Sequence, residues 1–531
     1  MFEDQNSVLG KAVFEEKLLP ISGGGKKVAR FVIGTSTAGW TLENCDYLCD
    51  GEDDQEEIIQ ALEALPSTGG EIVILDGTYN ITESIHIPKN NVSLRGNGNA
   101  TVLKRGYNST DTHIGSTARG LITLNRKSGC KIQDLQIDGN KTTHTAGHND
   151  GIYLYASSYN TITGITCNNN NYEGIYLYSS STNTITDNTC NNNSNGIYLV
   201  ASSNANTITG NTCNNNNYEG IYLTRSNNNT ITDNTCNNNR YSGIDLVSSN
   251  YNNTITGNTC TYNYYGISLS ASSYNTITGN TYNDNTSYGI YLYSSSINTV
   301  TGNTCTNNST GIYLLISSND NTVTGNNCNN NNDYGIRLSS SNNNNTITGN
   351  TCTDNGGSGI DLYSSSSNNT VTGNICNNNR TGIRLSSSNN NTVTGNTCNN
   401  NNDGIGLGGL SGSSVNNTIT GNICNNNSNS GIFLSSSSNN NTVTGNTCNN
   451  NNDGIYLYSS SNNTITGNTC IRGTGTPDDY NTNQYTILLF GSSNNYNLIS
   501  LNNCMGKAVE VKGGIGNSVW GNKFDATNNL P

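Results

Sequence analysis

From residue 151 onward the apolar positions fall into two short alternating patterns that recur together. In Thr161-Ile162-Thr163 one Ile is flanked by Thr, and in Gly174-Ile175-Tyr176-Leu177-Tyr178 Ile and Leu alternate with Tyr. Alternation with a period of two marks a strand with one buried face, so Ile and Leu point inward and Tyr and Thr outward. Asn, Gly and Ser fill the connections, and these residues tolerate tight and left-handed turns. No helical period occurs after residue 150.

The two patterns belong to one repeat: Asn-Thr-Ile-Thr-Gly-Asn-Thr-Cys, an Asn-rich turn, Gly-Ile-Tyr-Leu, then Ser-Ser-Ser-Asn-Asn. From Cys167 through Cys470 the Cys place recurs about every 23 residues, with Tyr282 taking it once. A fixed period of this length signals stacked supersecondary units, and a disordered Asn-rich tract would not hold register. Strand and turn without helix describe an all-β fold, a single-stranded right-handed parallel β-helix. About 17 coils at ~4.8 Å would make a rod on the order of 80 Å long. Each coil sends Ile, Cys, Ile and Leu inward, and the repeated Asn residues are expected to form amide ladders along the turns.

The first 150 residues differ. Asp53-Asp54-Gln55-Glu56-Glu57-Ile58-Ile59-Gln60-Ala61-Leu62-Glu63-Ala64-Leu65 reads as a helix, with acids at its N-terminal end and Ile58, Ile59, Leu62 and Leu65 on one face. Pro66 to Gly70 stops it, and Glu71-Ile72-Val73-Ile74-Leu75 and Ser84-Ile85-His86-Ile87 read as strands. The organisation expected is a leader or linker over 1–30, an N-terminal cap with irregular coils over 31–150, regular repeats over 151–470, and irregular C-terminal coils over 471–531.

The helix, together with Gly-Gly-Glu-Ile-Val-Ile-Leu-Asp-Gly-Thr-Tyr (69–79) and Val-Ser-Leu-Arg-Gly-Asn-Gly (92–98), resembles the opening cap of pectate-lyase-like right-handed β-helix proteins. The Asn-Thr-Ile-Thr-Gly-Asn coils resemble NosD-like and carbohydrate-processing β-helix repeats. The resemblance implies a helix that plugs the first coil. It says little of activity, since one such fold carries lyases, hydrolases, phage tailspikes and non-enzymes.

Charge and composition narrow the picture. The chain carries a net charge of −13, which argues against nucleic acid as a partner. No run of about 18 apolar residues offers a membrane span. The opening Met1-Phe2-Glu3-Asp4-Gln5 lacks the features of an export signal. Synthesis in the cytoplasm is therefore expected, with release as part of a virion or tail-like particle.

Seventeen Cys would ordinarily suggest disulfides. Here in-register neighbours are ~4.8 Å apart with parallel Cβ vectors, longer than the ~3.8 Å typical of a disulfide, which leaves disulfides between some neighbours and metal binding as the lesser alternatives. A ladder of buried thiols is expected instead, and Cys45 and Cys49 lack further zinc ligands nearby. No metal and no cofactor are expected.

Two sets of residues carry candidate chemistry. Two positions after the Gly of each long strand stand Tyr153, Tyr176, Tyr198 and Tyr222, and two further on stand Tyr155 and Tyr178. An outward aromatic ladder suits stacking on sugar rings, burial against sister chains, or plain strand pairing. Farther along that column, Arg337, Asp361 and Arg384 form a self-neutralising surface ladder.

At the junction of cap and repeats, Asp138, His148 and Asp150 precede Glu173, which follows Asp150 by one coil. Two carboxylates on adjacent rungs lie near a retaining glycosidase's spacing, and Glu219, two coils beyond Glu173, offers the wider one. Asp138, His148, Asp150 and Glu173 are the candidate catalytic set. Asp and Asn before Gly are also ordinary turn residues, and Asp403 and Asp453 hold the same place without obvious partners.

Three functional readings remain. The leading one is a phage-tail-like tailspike or receptor-binding protein that engages a cell-surface polysaccharide, as a homotrimer docked to a larger particle through residues 1–30. The second is a polysaccharide-degrading enzyme, a hydrolase before a lyase. The third is a passive structural rod.

Overall fold

The computed structural model describes residues 29–109, 113–409, 412–471, 484–506 and 508–523. Nearly all of the expected leader, and residues 472–483 of the expected C-terminal coils, lie outside the described residues. The described chain is a parallel β-solenoid of about 19 turns, some 90 Å long at ~4.8 Å per turn.

Each regular coil meets the next on three faces rather than the two expected. Short strands pair in register, as Thr161↔Thr184 and Ile162↔Ile185. Long strands pair likewise, as Ile175↔Ile197 and Tyr176↔Tyr198. The third face is a single bridge at the residue before each Cys, running Thr166, Thr189, Thr212, Thr235 in the first coils. Three corners join the faces, and each turns through left-handed residues. Gly164 (φ 64°) makes the first, where Asp187 (φ 53°) stands one coil on, and Asn169 and Asn192 make the second. The third uses Ser179 and Thr182.

The interior is four stacked columns. In one coil Ile208, Cys213, Ile221 and Leu223 are all fully buried. Close stacking also explains why Gly opens each long strand. A Cβ on Gly220 would stand 2.6 Å from the carbonyl O of Gly243 and 2.8 Å from the Cβ of Cys236, so only Gly lets the chain pass so close. All 17 cysteines are free and buried, and burial pushes thiols such as Cys236 well above their ordinary range.

Corners buried between coils must still satisfy their backbone polar groups. Three columns of buried Asn do this. In one, the backbone N and Nδ2 of Asn183 both donate to Oδ1 of Asn206, at 2.8 and 3.1 Å, and Asn206 does the same to Asn229. Asn188, Asn211 and Asn234 form a second column, and Asn170, Asn193 and Asn216 a third. A Ser column through Ser157, Ser180 and Ser203 shares the third corner with the Asn183 column. The high Asn content is thus a set of polar zippers inside the rod.

At the N-terminal end the helix spans Gln55–Ala64 and buries Ile58, Ala61 and Leu62 over the first strands. Ile59, expected on that face, is half-buried, and Ala61 takes its place. The register survives the long interval after Cys470. Tyr485–Phe490 pairs with the strand Asp453–Tyr458, and Leu498–Ser500 and Ser518–Trp520 continue the short-strand face. Among the described residues no helix is long and apolar enough to cross a membrane.

Candidate functional site

The irregular coils meet the regular ones where strand Gly120–Asn125 pairs with Asp150–Tyr155, which pairs with Ile175–Tyr178. Asp150 and Glu173 stand on adjacent rungs, as expected, but both are buried. Asp150 Oδ2 lies 2.7 Å from Nε of Arg119, itself only 5% exposed. Asp150 Oδ1 accepts the backbone N–H of Glu173 at 3.1 Å, and Glu173 Oε2 accepts that of Asn195 at 3.0 Å. Asn195 Oδ1 then accepts from Glu219. The two carboxylates are therefore rungs of one more polar ladder. Asp403 and Asp453 play the same part, accepting the backbone N–H of Ser430 and Tyr485, so the partners not visible in sequence are present.

Burial dominates the electrostatics. It raises the Asp150 carboxyl, and Arg119 pulls it back down. Burial, then the neighbouring Asp150, pushes Glu173 up to about 8. His148 packs against Tyr172 with ring centroids 4.2 Å apart, and burial lowers its pKa, so the ring is neutral near pH 7. Asp138 stands apart on the short-strand sheet. It accepts from Asn140 N and Asn169 Nδ2, as a turn residue does. The structure thus gathers His148, Asp150 and Glu173 into one region and leaves Asp138 outside it.

The Tyr column points outward and stacks as expected. Ring centroids are 5.2 Å apart for Tyr153–Tyr176 and Tyr176–Tyr198, and 4.6 Å for Tyr198–Tyr222. Tyr155 and Tyr178 stack beside it at 5.7 Å. Its first rungs are not a free surface, however. Tyr153 is fully buried and Tyr176 is 6% exposed, because the Arg119 guanidinium lies over both rings and Gly115 N donates to Tyr153 Oη. The column opens only at Tyr198 and Tyr222. Farther along, Asp361 is fully buried rather than a surface group, with Nε of Arg384 at 2.8 Å and Nε of Arg337 at 3.3 Å.

Three functional side chains, Arg119, Arg105 and Asp245, emerge only from the structure. Arg119 escapes the sequence because its coil reads Gly120-Leu121-Ile122, which shifts Gly120 opposite Asp150 and breaks alignment on Gly-Ile. Arg105 is wholly buried, and its Nη2 donates to the backbone carbonyl of Asp150. Asp245 sits opposite Tyr222 in the outward column. Burial, then Asp245, pushes Glu219 up to about 8, and burial pushes Asp245 to about 7. The interruption of the Tyr column at Asp245 is a signal that sequence carries.

Beside Glu173 a groove of about 550 Å³ opens along the turn before the long strands, where Tyr172, Ser194, Tyr218 and Arg240 line it. Tyr218 and Tyr241 stack on its far side at 5.8 Å, and both are exposed. Half-exposed aromatic rings, amides and carboxyls held neutral can stack on, and hydrogen-bond to, a polyhydroxylated ligand.

The family model described as "Periplasmic copper-binding protein (NosD)" matches residues 70–219, 200–333 and 324–415. That of the "Right handed beta helix region" matches 374–530. A comparison with curated proteins gives no match. Among similar solved structures is the Dettilon tailspike protein, 18% identical with a TM-score of 0.46 over 61% of this chain and 64% of that one. DFA-IIIase from Arthrobacter chlorophenolicus A6 is 14% identical with a TM-score of 0.43 over 64% of this chain and 93% of that one. Tailspike protein 3 of bacteriophage CBA120 is 16% identical with a TM-score of 0.43 over 65% and 55%. The chain spans less than two thirds of either tailspike, and these likenesses bear on the fold alone.

Proposed function

The chain belongs to the NosD family of right-handed β-helix proteins, and we propose that within it this rod engages a carbohydrate polymer along its aromatic side. The observation that carries this reading is the register of half-exposed tyrosines. Tyr198 and Tyr222 stack at 4.6 Å on one face, and Tyr218 and Tyr241 stack at 5.8 Å on the neighbouring turn. Flat amphipathic rings repeated along a straight rod match the repeated sugar rings of a polymer. The finer form of the proposal is a tailspike-like receptor-binding protein, assembled as a homotrimer and docked through residues 1–30. Light scattering should then return three times the 56.5 kDa chain mass, and a monomer mass would remove the trimer.

A second reading, polysaccharide cleavage, is favoured by Glu219 and Asp245. These carboxyls stand on successive coils beside Tyr222 and change charge near neutral pH, as an acid and base pair must. The deciding experiment incubates the protein with bacterial surface polysaccharides and pectins, following reducing ends, unsaturated sugars and retention on immobilised polymer. Retention without cleavage supports the binding rod. Cleavage lost in Glu219→Gln or Asp245→Asn, but kept in Asp150→Asn, assigns catalysis to the open pair. No retention and no cleavage on any polymer leaves a passive rod.

The family description names copper, an ion that imidazole and soft sulfur donors bind best. The donor set here does not fit it. The thiol column is sealed in the core, every one of its cysteines buried. Among the described residues the one cluster of three donors is Cys49, Asp54 and Glu57, which holds no imidazole. Asp54 is already engaged by the backbone N–H groups of Gly51 and Asn80.

A further inference from the structure

The column two residues before each Gly reads Tyr172, Ser194, Tyr218, Tyr241, Tyr264. Backbone bonds place these on successive rungs, with Ser194 N donating to Tyr172 O at 2.7 Å and Tyr218 N to Ser194 O at 2.9 Å. Tyr241 N and Tyr264 N continue the series. One tyrosine is thus missing from this stretch of the row, and Ser194 puts a small residue between two rings.

The resulting gap spans two rungs, roughly 9–10 Å. A saturated six-membered ring held between two flat walls at van der Waals contact needs about 7–8 Å plus its own pucker. Each wall is backed by another ring: Tyr172 packs against His148, and Tyr218 stacks on Tyr241 at an interplanar angle of 12°. Walls supported in this way lose little freedom when a ligand enters. Asn195 and Glu173 make the lining polar, and Arg240, whose guanidinium lies over the Tyr241 ring at 5.5 Å, lines the groove from the rung beyond Tyr218.

We infer that the gap at Ser194 is a slot for one pyranose ring of an acidic polysaccharide, with Tyr172 and Tyr218 as walls and Arg240 meeting the sugar carboxylate. The assignment rests on the carbohydrate-binding reading above and gives it a subsite and a substrate class. Charge selects the acidic sugar. Arg240 is exposed and has no ion-pair partner among the described residues, and Glu173 is held in its neutral form below pH 8. The slot is therefore locally positive on a chain whose net charge is −13. A planar guanidinium also matches a carboxylate in a paired geometry.

The test is calorimetric titration of the full chain with tetramers of galacturonic, mannuronic and guluronic acid and of hyaluronan, with cellotetraose as the neutral probe. At least one acidic tetramer should bind more tightly than cellotetraose. Ser194→Trp, which fills the slot, and Arg240→Ala should each weaken that tetramer tenfold or more without lowering the melting temperature. Should Ser194→Trp melt early, the exposed Tyr218→Ala takes its place, with the same tenfold loss expected. Binding unchanged by slot filling would overturn the slot and leave the glycan-binding reading standing. Equal binding of cellotetraose would overturn the acidic assignment. If neither tetramers nor whole polymers bind, the wider reading falls together with the slot.

Discussion

Glu173, Glu219 and Asp245 all have pKa values raised by burial, to about 8, 8 and 7. For a carboxyl whose folded value lies above its unfolded one, the folded state holds more protons between the two values. The stability this contributes is complete below the unfolded value, near pH 4, and is lost as pH rises through the folded one. The rod should therefore melt at a higher temperature at pH 5.5 than at pH 8.5, opposite to a protein held by carboxylate ion pairs. Glu173→Gln, which keeps an acceptor for Asn195 N and cannot ionise, should flatten the profile. Circular-dichroism melts across that range check it, and a melting temperature that climbs from pH 5.5 to 8.5 would refute it. Sequence showed these acids but not their state. Burial of Glu173 depends on where Arg119 and the segment before it fold, and that segment carries no period from which to read it.

The coil is the element of this fold, and its faces and corners obey different rules. Faces were legible because alternation and the 23-residue period admit one stacking, which aligned Ile, Cys, Ile and Leu correctly. The third face was not, since a strand of one residue has no alternation to detect. Corners depend on φ. Ile297 adopts φ 58° at a corner where other coils place Asn, such as Asn344 (φ 58°) and Asn368 (φ 58°). A β-branched residue there is strained, whereas Asn visits this region readily, and Ile297 is 43% exposed, so little burial is at stake. Ile297→Asn should raise stability by about 1 kcal/mol. Asn303→Ala should do the reverse. It strips the acceptor from the backbone N and Nδ2 of Asn280, at 3.0 and 2.9 Å, and leaves a buried N–H unpaired. The cost should be at least about 1–3 kcal/mol. Urea denaturation of the two variants beside the parent measures both, and equal midpoints for all three would show that neither corner strain nor the Asn zipper limits the fold.

At the scale of the molecule each coil touches only its neighbours, so stability is close to a sum of coil and interface contributions, and opening should start where a coil lacks a partner. The turn through Ser518–Trp520 is the thinly covered one. Val519 is 40% exposed on the strand Ser518–Trp520, whereas the residues in the same inward place one and two turns earlier, Ile499 and Ile465, are fully buried. The thiol column runs through the interior from Cys167 to Cys504 and records local opening coil by coil, because a thiol sealed in the core meets reagent only when its coil opens. Pulsed alkylation of this chain at pH 7.5, read residue by residue by mass spectrometry, should label Cys504 first and Cys470 next. Cys213 to Cys260 and Cys328 to Cys424 should resist until the rod unfolds. Near-simultaneous labelling of the whole column would mean that the rod opens as one cooperative unit. Early labelling around Tyr282 would place the weak point at the one rung where a tyrosine, its hydroxyl buried without a hydrogen-bond partner, replaces the thiol. Either result would contradict opening from the end. Labelling in the expected order would mean that the polar ladders hold central coils closed while the terminal coils exchange, which keeps the aromatic side a rigid ruler for a repeating ligand.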